Sequence, residues 1–279
     1  MMLSGGKRSA FFQRTLTALI GLPAVIYLVH IGSWPLLVVV GGFALAALRE
    51  FYIAFSEKDK PVHFIGYFFT IGYFTAIHFF GMGQWLLITL VLFMVTVQTA
   101  LIIFYRQLPL RECVSTVYGF LYVPFLLAFL VLVRQHVYGQ YFVWLIFTAA
   151  FVCDTFAYLV GSAIGRRKLK NSPSPSKSLE GLVGGILGAG FIGFIYGFVL
   201  TRFVLAYDPT FNFILVATAT SFLGAIFSII GDMAASAVKR FCGIKDFSNV
   251  FPGHGGVLDR VDSILVVAPV IFVVVTLLV

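Results

Sequence analysis

Charge is what this 279-residue chain has least of: 11% of its residues are Asp, Glu, Lys or Arg, where a soluble domain carries about 25%. With 60% hydrophobic residues and a mean hydropathy of +1.02, that scarcity excludes a water-soluble globular domain. Cysteine is scarce too. Cys113, Cys153 and Cys242 stand far apart, with no CxxC and no Cys/His spacing, which excludes a disulfide framework and a sequence-local zinc centre; buried thiols are expected. No Gly/Ser-rich linker sets off a soluble domain, and no internal repeat supports an inverted-repeat transporter. Acids are outnumbered, 11 against 19 bases, for a net charge of +8. In a soluble protein this would raise nucleic-acid binding. Here it points to loops on one side of a bilayer, with membrane lipid and not nucleic acid as the neighbour.

What is present is a succession of apolar runs. They predict an all-α polytopic membrane protein of about nine transmembrane helices, near 14–32, 34–55, 63–80, 84–105, 113–134, 141–161, 182–205, 211–240 and 259–279. Lys7, Arg8 and Arg14 precede a first run longer than a signal-peptide core, so it reads as a retained span. With the N-terminus in the cytoplasm, the alternation of nine spans places seventeen of the nineteen cations inside; only Arg134 and Arg202 fall outside. Three stretches follow: 1–112 with the N-terminal helices, 113–181 with middle helices and a basic loop, and 182–279 with the C-terminal helices and the densest charge. Pro23, Pro124 and Pro269 lie inside spans and predict kinks. Gly181, Gly185, Ala189, Gly193 and Gly197 recur every fourth residue, a stripe for close helix packing within the chain or with another subunit.

The polar residues concentrate in 165–181 and 236–262. Asp154 lies within a span, where a carboxylate facing lipid would cost about 2.5–3.5 kcal/mol, so it must face protein, water or an ion. Asp154, Tyr158 and Gly161 share a helix face, as do Asp232, Ser236 and Lys239. Asp259 and Asp262 open the last helix, where one of them could serve as a plain cap. Oxygen-only donors suit a hard cation, and Mg²⁺ takes one or two carboxylates plus substrate phosphates. Asp232 and Asp259 are the first choice as ligands, Asp154 and Asp262 the second. Lys177, Lys239, Arg240, Lys245 and Arg260 are candidate phosphate partners. Gly253, Gly255 and Gly256 let the backbone turn and approach a ligand; His254 either donates to a phosphate or fixes the loop. A cavity between helices six to nine, open to lipid and to water, follows as an expectation.

At these residues the chain resembles the CDP-diacylglycerol synthase (phosphatidate cytidylyltransferase) family. Ser236, Val238, Lys239, Arg240, Lys245, Asp246, Ser248, Phe251, Pro252, His254, Gly255, Gly256, Val257, Asp259, Arg260, Val261 and Asp262 match its signature without departure. A second block is similar at Asp154, Ala157, Tyr158, Gly161, Ser174, Pro175, Lys177, Ser178, Glu180 and Gly181. Ser176 stands where many relatives have Lys, and Ser178, where they have Thr, keeps the hydroxyl. The resemblance covers the C-terminal half. It implies that CTP and phosphatidate give CDP-diacylglycerol and pyrophosphate with Mg²⁺, at the cytoplasmic face of the bacterial cell membrane. It also implies a homodimer and a second cation near the first. Lys239, Lys245, Asp246 and Arg260 then form the catalytic set, with Asp246 a base or a partner orienting Lys245. Lys177, Ser178, Ser236, Arg240, His254, Gly255 and Gly256 are assigned to substrate phosphate. The competing readings are a cation-binding secondary transporter, which a one-sided polar block argues against, a CTP-using lipid kinase, which would release CDP, and a structural scaffold.

Overall fold

The computed structural model describes residues 23–55, 62–204, 212–250 and 255–278. His254 and the basic residues before position 15 therefore lie outside the described residues, as do Lys58, Lys60, Phe251, Pro252 and Gly253. Among the described residues every long element is a helix. After helical residues 23–31 come α1 (Ser33–Phe55), α2 (His63–Phe80) and α3 (Gln84–Ile103). Then follow α4 (Leu110–Gln135), α5 (Gly139–Ile164), α6 (Leu179–Phe203), α7 (Phe213–Cys242) and α8 (Leu258–Leu278). Seven of these eight are long and apolar enough to cross a membrane; α2, with His63, Tyr67, Tyr73 and His78 in 18 residues, is the exception. The chain is an all-α polytopic membrane protein, as its apolar runs predict.

Two helices carry a π turn. In α4 it covers Leu121–Phe125 around Pro124, so the expected kink takes the form of one wide turn and the helix continues. In α5 it covers Thr148–Val152, has no proline, and ends one residue before Cys153 and two before Asp154. A wide turn changes the phase of everything after it, so it helps set the direction in which Asp154 projects.

The chain forms two compact units, one of residues 1–131 with 242–261 and the other of residues 132–241 with 262–279. The first has an aromatic interior. Phe51 and Tyr52 of α1 are fully buried, and the Tyr52 hydroxyl donates to Thr116 O at 3.1 Å. Thr116 Oγ1 in turn accepts from Val62 N–H at 2.7 Å, which fixes the entry to α2. Phe93 and Phe120 pack with ring centroids 4.2 Å apart. The C-terminal turn of α1 is thus held rigid in two helices' worth of packing.

The second unit is built on small residues. Gly185 lies against the Cys153 carbonyl and Gly181 against the Ala157 carbonyl, each with no room for a Cβ. Further along, Gly193 meets Ser221 and Gly197 meets Ile214. The α6 stripe therefore serves packing within the chain, against α5 on one side and α7 on the other. The opposite face of α6, with Leu187, Phe191, Phe194 and Phe198, is exposed. At Gly231 a similar close approach brings α7 within 2.8 Å of the Asp262 carbonyl, measured from where a Cβ would sit.

Candidate active site

In the second unit, the approach at Gly231 puts Asp232 of α7 beside the start of the 262–279 segment. The Asp232 carboxylate forms an ion pair with Lys177 at 2.5 Å, both side chains about one-quarter exposed. Asp154 and Asp262 lie near enough to feel the charge of Asp232; Lys177 acts on Asp154 and Lys239 on Asp262. Asp154 and Tyr158 are exposed on α5. Asp262 Oδ1 accepts from the Ser263 N–H at 2.7 Å. Three carboxylates and two lysines that are remote in sequence therefore share one neighbourhood.

Lys177 reaches Asp232 because its loop is tightly folded. An isolated antiparallel bridge joins Lys168 and Ser178. The Leu169 N–H donates to Lys177 O at 3.0 Å and the Leu179 N–H to Arg167 O at 2.9 Å. Glu180, in the first turn of α6, accepts from the backbone N–H groups of Arg166 and Arg167. Ser178 is the N-cap of α6: its hydroxyl accepts from Gly181 N–H at 3.2 Å. Expected to bind phosphate, Ser178 is instead 3% exposed, shut against Gly161 and Gly165. Ser236 is half-buried on α7, and Arg240 is exposed.

The first unit holds the glycine turn. Asp259, expected as a metal ligand, gives its Oδ2 to two backbone donors, Phe247 N–H at 2.9 Å and Gly256 N–H at 3.0 Å. The Gly256 amide is therefore engaged inside the protein and is not offered to phosphate. Gly255 has φ +78, a left-handed conformation that favours glycine, and a Cβ there would sit 2.9 Å from Asp259 Oδ2. Lys245, Asp246 and Arg260 flank this turn and are exposed.

Sequence reasoning missed Glu50. It is buried at 4% exposure near the end of α1. Its Oε1 accepts from the Ser248 hydroxyl at 2.6 Å and from Val257 N–H at 2.9 Å, and its Oε2 from Leu258 N–H at 2.8 Å. A carboxylate distant in sequence thus caps the N-terminus of α8, where backbone donors have no helical partners. A Cβ on Gly256 would lie 2.4 Å from Glu50 Oε2. The signal was available: an acid inside an apolar helix must find partners.

Among the described residues no group of three or more His, Cys, Asp and Glu converges tightly enough to hold a metal by itself. A closed protein cage is thus not what this cluster offers. One helical turn from Asp232, whose Oδ2 is paired with Lys177, Ser228 Oγ is buried with no hydrogen-bond partner. An unsatisfied buried hydroxyl beside carboxylates, one of them exposed, fits a hard cation that completes its shell with phosphate oxygens and water. A groove of about 920 Å³ runs between α5 and α6. Phe156, Val160, Val183 and Leu187 line it, with Arg166 and Arg167 also on its wall.

A polytopic helical membrane protein with a lysine–carboxylate cluster and a glycine turn is the class that fold and site define. The model of the cytidylyltransferase family matches residues 12–278, and the chain belongs to that family. It is similar to a phosphatidate cytidylyltransferase of Thermotoga maritima, 39% identical over 154 residues, 55% of this chain and 56% of that protein. One from Haemophilus influenzae is 35% identical over 152 residues, 53% of this chain and 51% of that protein. The chain thus spans about half the length of these two curated relatives. A phosphatidate cytidylyltransferase of Staphylococcus aureus (strain COL) is 28% identical over 262 residues, 92% of this chain and 96% of that protein.

Proposed function

We propose that the protein is a phosphatidate cytidylyltransferase, converting CTP and phosphatidate to CDP-diacylglycerol and pyrophosphate at the cytoplasmic face of the cell membrane. The observation that carries this reading is the Lys177–Asp232 pair with Asp154 and Asp262 around it, in a chain of the cytidylyltransferase family. The names of its relatives support the substrates. A homodimer, Mg²⁺ and a second cation belong to the same reading.

A phosphatidate phosphate oxygen attacks the α-phosphorus of CTP. The new P–O bond forms as the bond between the α-phosphorus and the α–β bridging oxygen breaks, and pyrophosphate leaves with that electron pair. A phosphate monoester has its second pKa near 6, so at neutral pH the nucleophile is already dianionic and needs no covalent enzyme intermediate. The protein's task is to gather and neutralise phosphate charge in line. Asp232, with Asp154 or Asp262, would hold Mg²⁺, which supplies Lewis-acid polarisation of phosphate oxygens when bound. Lys177 gives up its ion pair with Asp232 and turns to a substrate phosphate. Lys239 and Arg240 neutralise charge at the end of α7, while Lys245 and Arg260 do so around the glycine turn; Asp246 orients Lys245. The apolar groove between α5 and α6 accommodates an acyl chain.

The test is purified protein in detergent with CTP, phosphatidate and Mg²⁺, following both products. Pyrophosphate and CDP-diacylglycerol in equal amounts are expected. CDP in place of pyrophosphate would make the protein a lipid kinase, and no turnover by folded protein across lipid types would overturn the reading.

A further inference from the structure

Glu50 belongs to none of the groups assigned to substrate, yet it is tied directly to the signature. Its three donors all come from that segment: the Ser248 hydroxyl and the Val257 and Leu258 amides. Ser248 passes the connection on, since its Oγ also accepts from Val250 N–H at 3.2 Å. Asp259 ties Phe247 to Gly256 from the other side. Two carboxylates therefore pin the two ends of the turn, and Lys245 and Arg260 stand just outside those pins. Glu50 itself stands on a fixed base, because its neighbours Phe51 and Tyr52 are fully buried and Tyr52 is bonded to Thr116.

We infer that Glu50 is a positioning residue: it latches the signature turn from α1 and so holds Lys245 and Arg260 in register for the triphosphate of CTP. The inference rests on the reaction proposed above. Its chemistry requires a carboxylate. Both oxygens accept from the segment, two of the three donors being backbone N–H groups, one on each oxygen. A carboxamide must turn its NH₂ toward one of those N–H groups, so Glu50→Gln opens the latch without changing the size of the side chain. Misplacement by about 1 Å can cost roughly a hundredfold in rate.

The experiment compares wild type, E50Q and S248A in detergent by hydrogen exchange and steady-state kinetics. In E50Q, exchange at Val257 and Leu258 is expected to quicken. Its kcat/KM for CTP should fall by about ten- to a hundredfold, while KM for phosphatidate changes little. S248A removes one donor and keeps both amides, so it should shift kcat/KM for CTP in the same direction by a smaller factor. It also serves if E50Q fails to fold. Unchanged exchange in the variants would overturn the latch. Faster exchange with unchanged kinetics for CTP would overturn the positioning role and leave a stability device. Wild type without turnover would overturn the proposed reaction and the positioning role together, whereas an active wild type with kinetically normal variants overturns the positioning role alone.

Discussion

The two units use the same side chains in opposite ways. In the first, Glu50 and Asp259 are held by five donors between them, four backbone N–H groups and the Ser248 hydroxyl. In the second, Asp232 faces a lysine across an ion pair, and Asp154 is exposed. Amides are fixed in the chain and cannot leave. An ammonium on a four-carbon stem can swing away and be replaced by another cation or by substrate. The contrast separates carboxylates that hold the loop from carboxylates open to chemistry, which residue type alone does not do.

The strongest way to break that contrast is to neutralise one carboxylate on each side. Asp232→Asn should lower CDP-diacylglycerol formation by about 10²–10³-fold, with a melting temperature in detergent close to wild type, since its lysine partner is still about one-quarter exposed and can turn to water. Loss of folding together with activity would place Asp232 among the structural acids and remove the distinction. Lys177→Met should come next, at about a hundredfold. Because the proposed reaction gives the two residues separate tasks, phosphate for Lys177 and cation for Asp232, their losses should be close to additive; a double variant no worse than Asp232→Asn alone would mean that they act only through the ion pair.

In the first unit the corresponding probe is Gly256→Ala. The new methyl would sit 2.4 Å from Glu50 Oε2, between the carboxylate and the segment it holds. Activity should fall about tenfold, and melting temperature should fall with it, because lost charge-assisted bonds cost about 1.5–3 kcal/mol each. The paired loss is what distinguishes this unit from the Asp232 side. A variant that melts like wild type but is inactive would mean that Gly256 meets substrate.

Much of this was readable from residues alone. The apolar runs locate the helices, and the carboxylate of Asp154, too costly to face lipid, marks α5 as a functional helix. The partners were not readable. Lys177 and Asp232 are brought together by the bridge at Lys168 and Ser178 and by the glycine contacts of α6 and α7, none of which leaves a local pattern. Glu50 leaves no local pattern either, because its three donors lie 198 to 208 residues further along the chain. The π turn at Thr148–Val152 has no proline to announce it. The glycines of the signature suggested a cradle for phosphate, because flexibility and close approach look the same in sequence whether the approaching group is a ligand or the protein's own carboxylate.

The smallest effect tests the boundary between the two behaviours. Ser178 lies next to Lys177, in the active neighbourhood, yet its hydroxyl is buried and closed by the Gly181 amide, as the first unit's carboxylates are closed. By its neighbours it should matter to turnover; by its bonding it should matter to stability. If bonding decides, Ser178→Ala removes a helix cap worth about 1 kcal/mol, lowering the melting temperature by roughly 2–4 °C, while kcat and both KM values stay within about twofold, less than 0.5 kcal/mol. Ser178→Thr keeps the hydroxyl and should retain the wild-type melting temperature if the pocket by Gly161 and Gly165 accepts the methyl. A loss of kcat in Ser178→Ala without a thermal shift would return the hydroxyl to substrate phosphate and move the boundary one residue outward from Lys177.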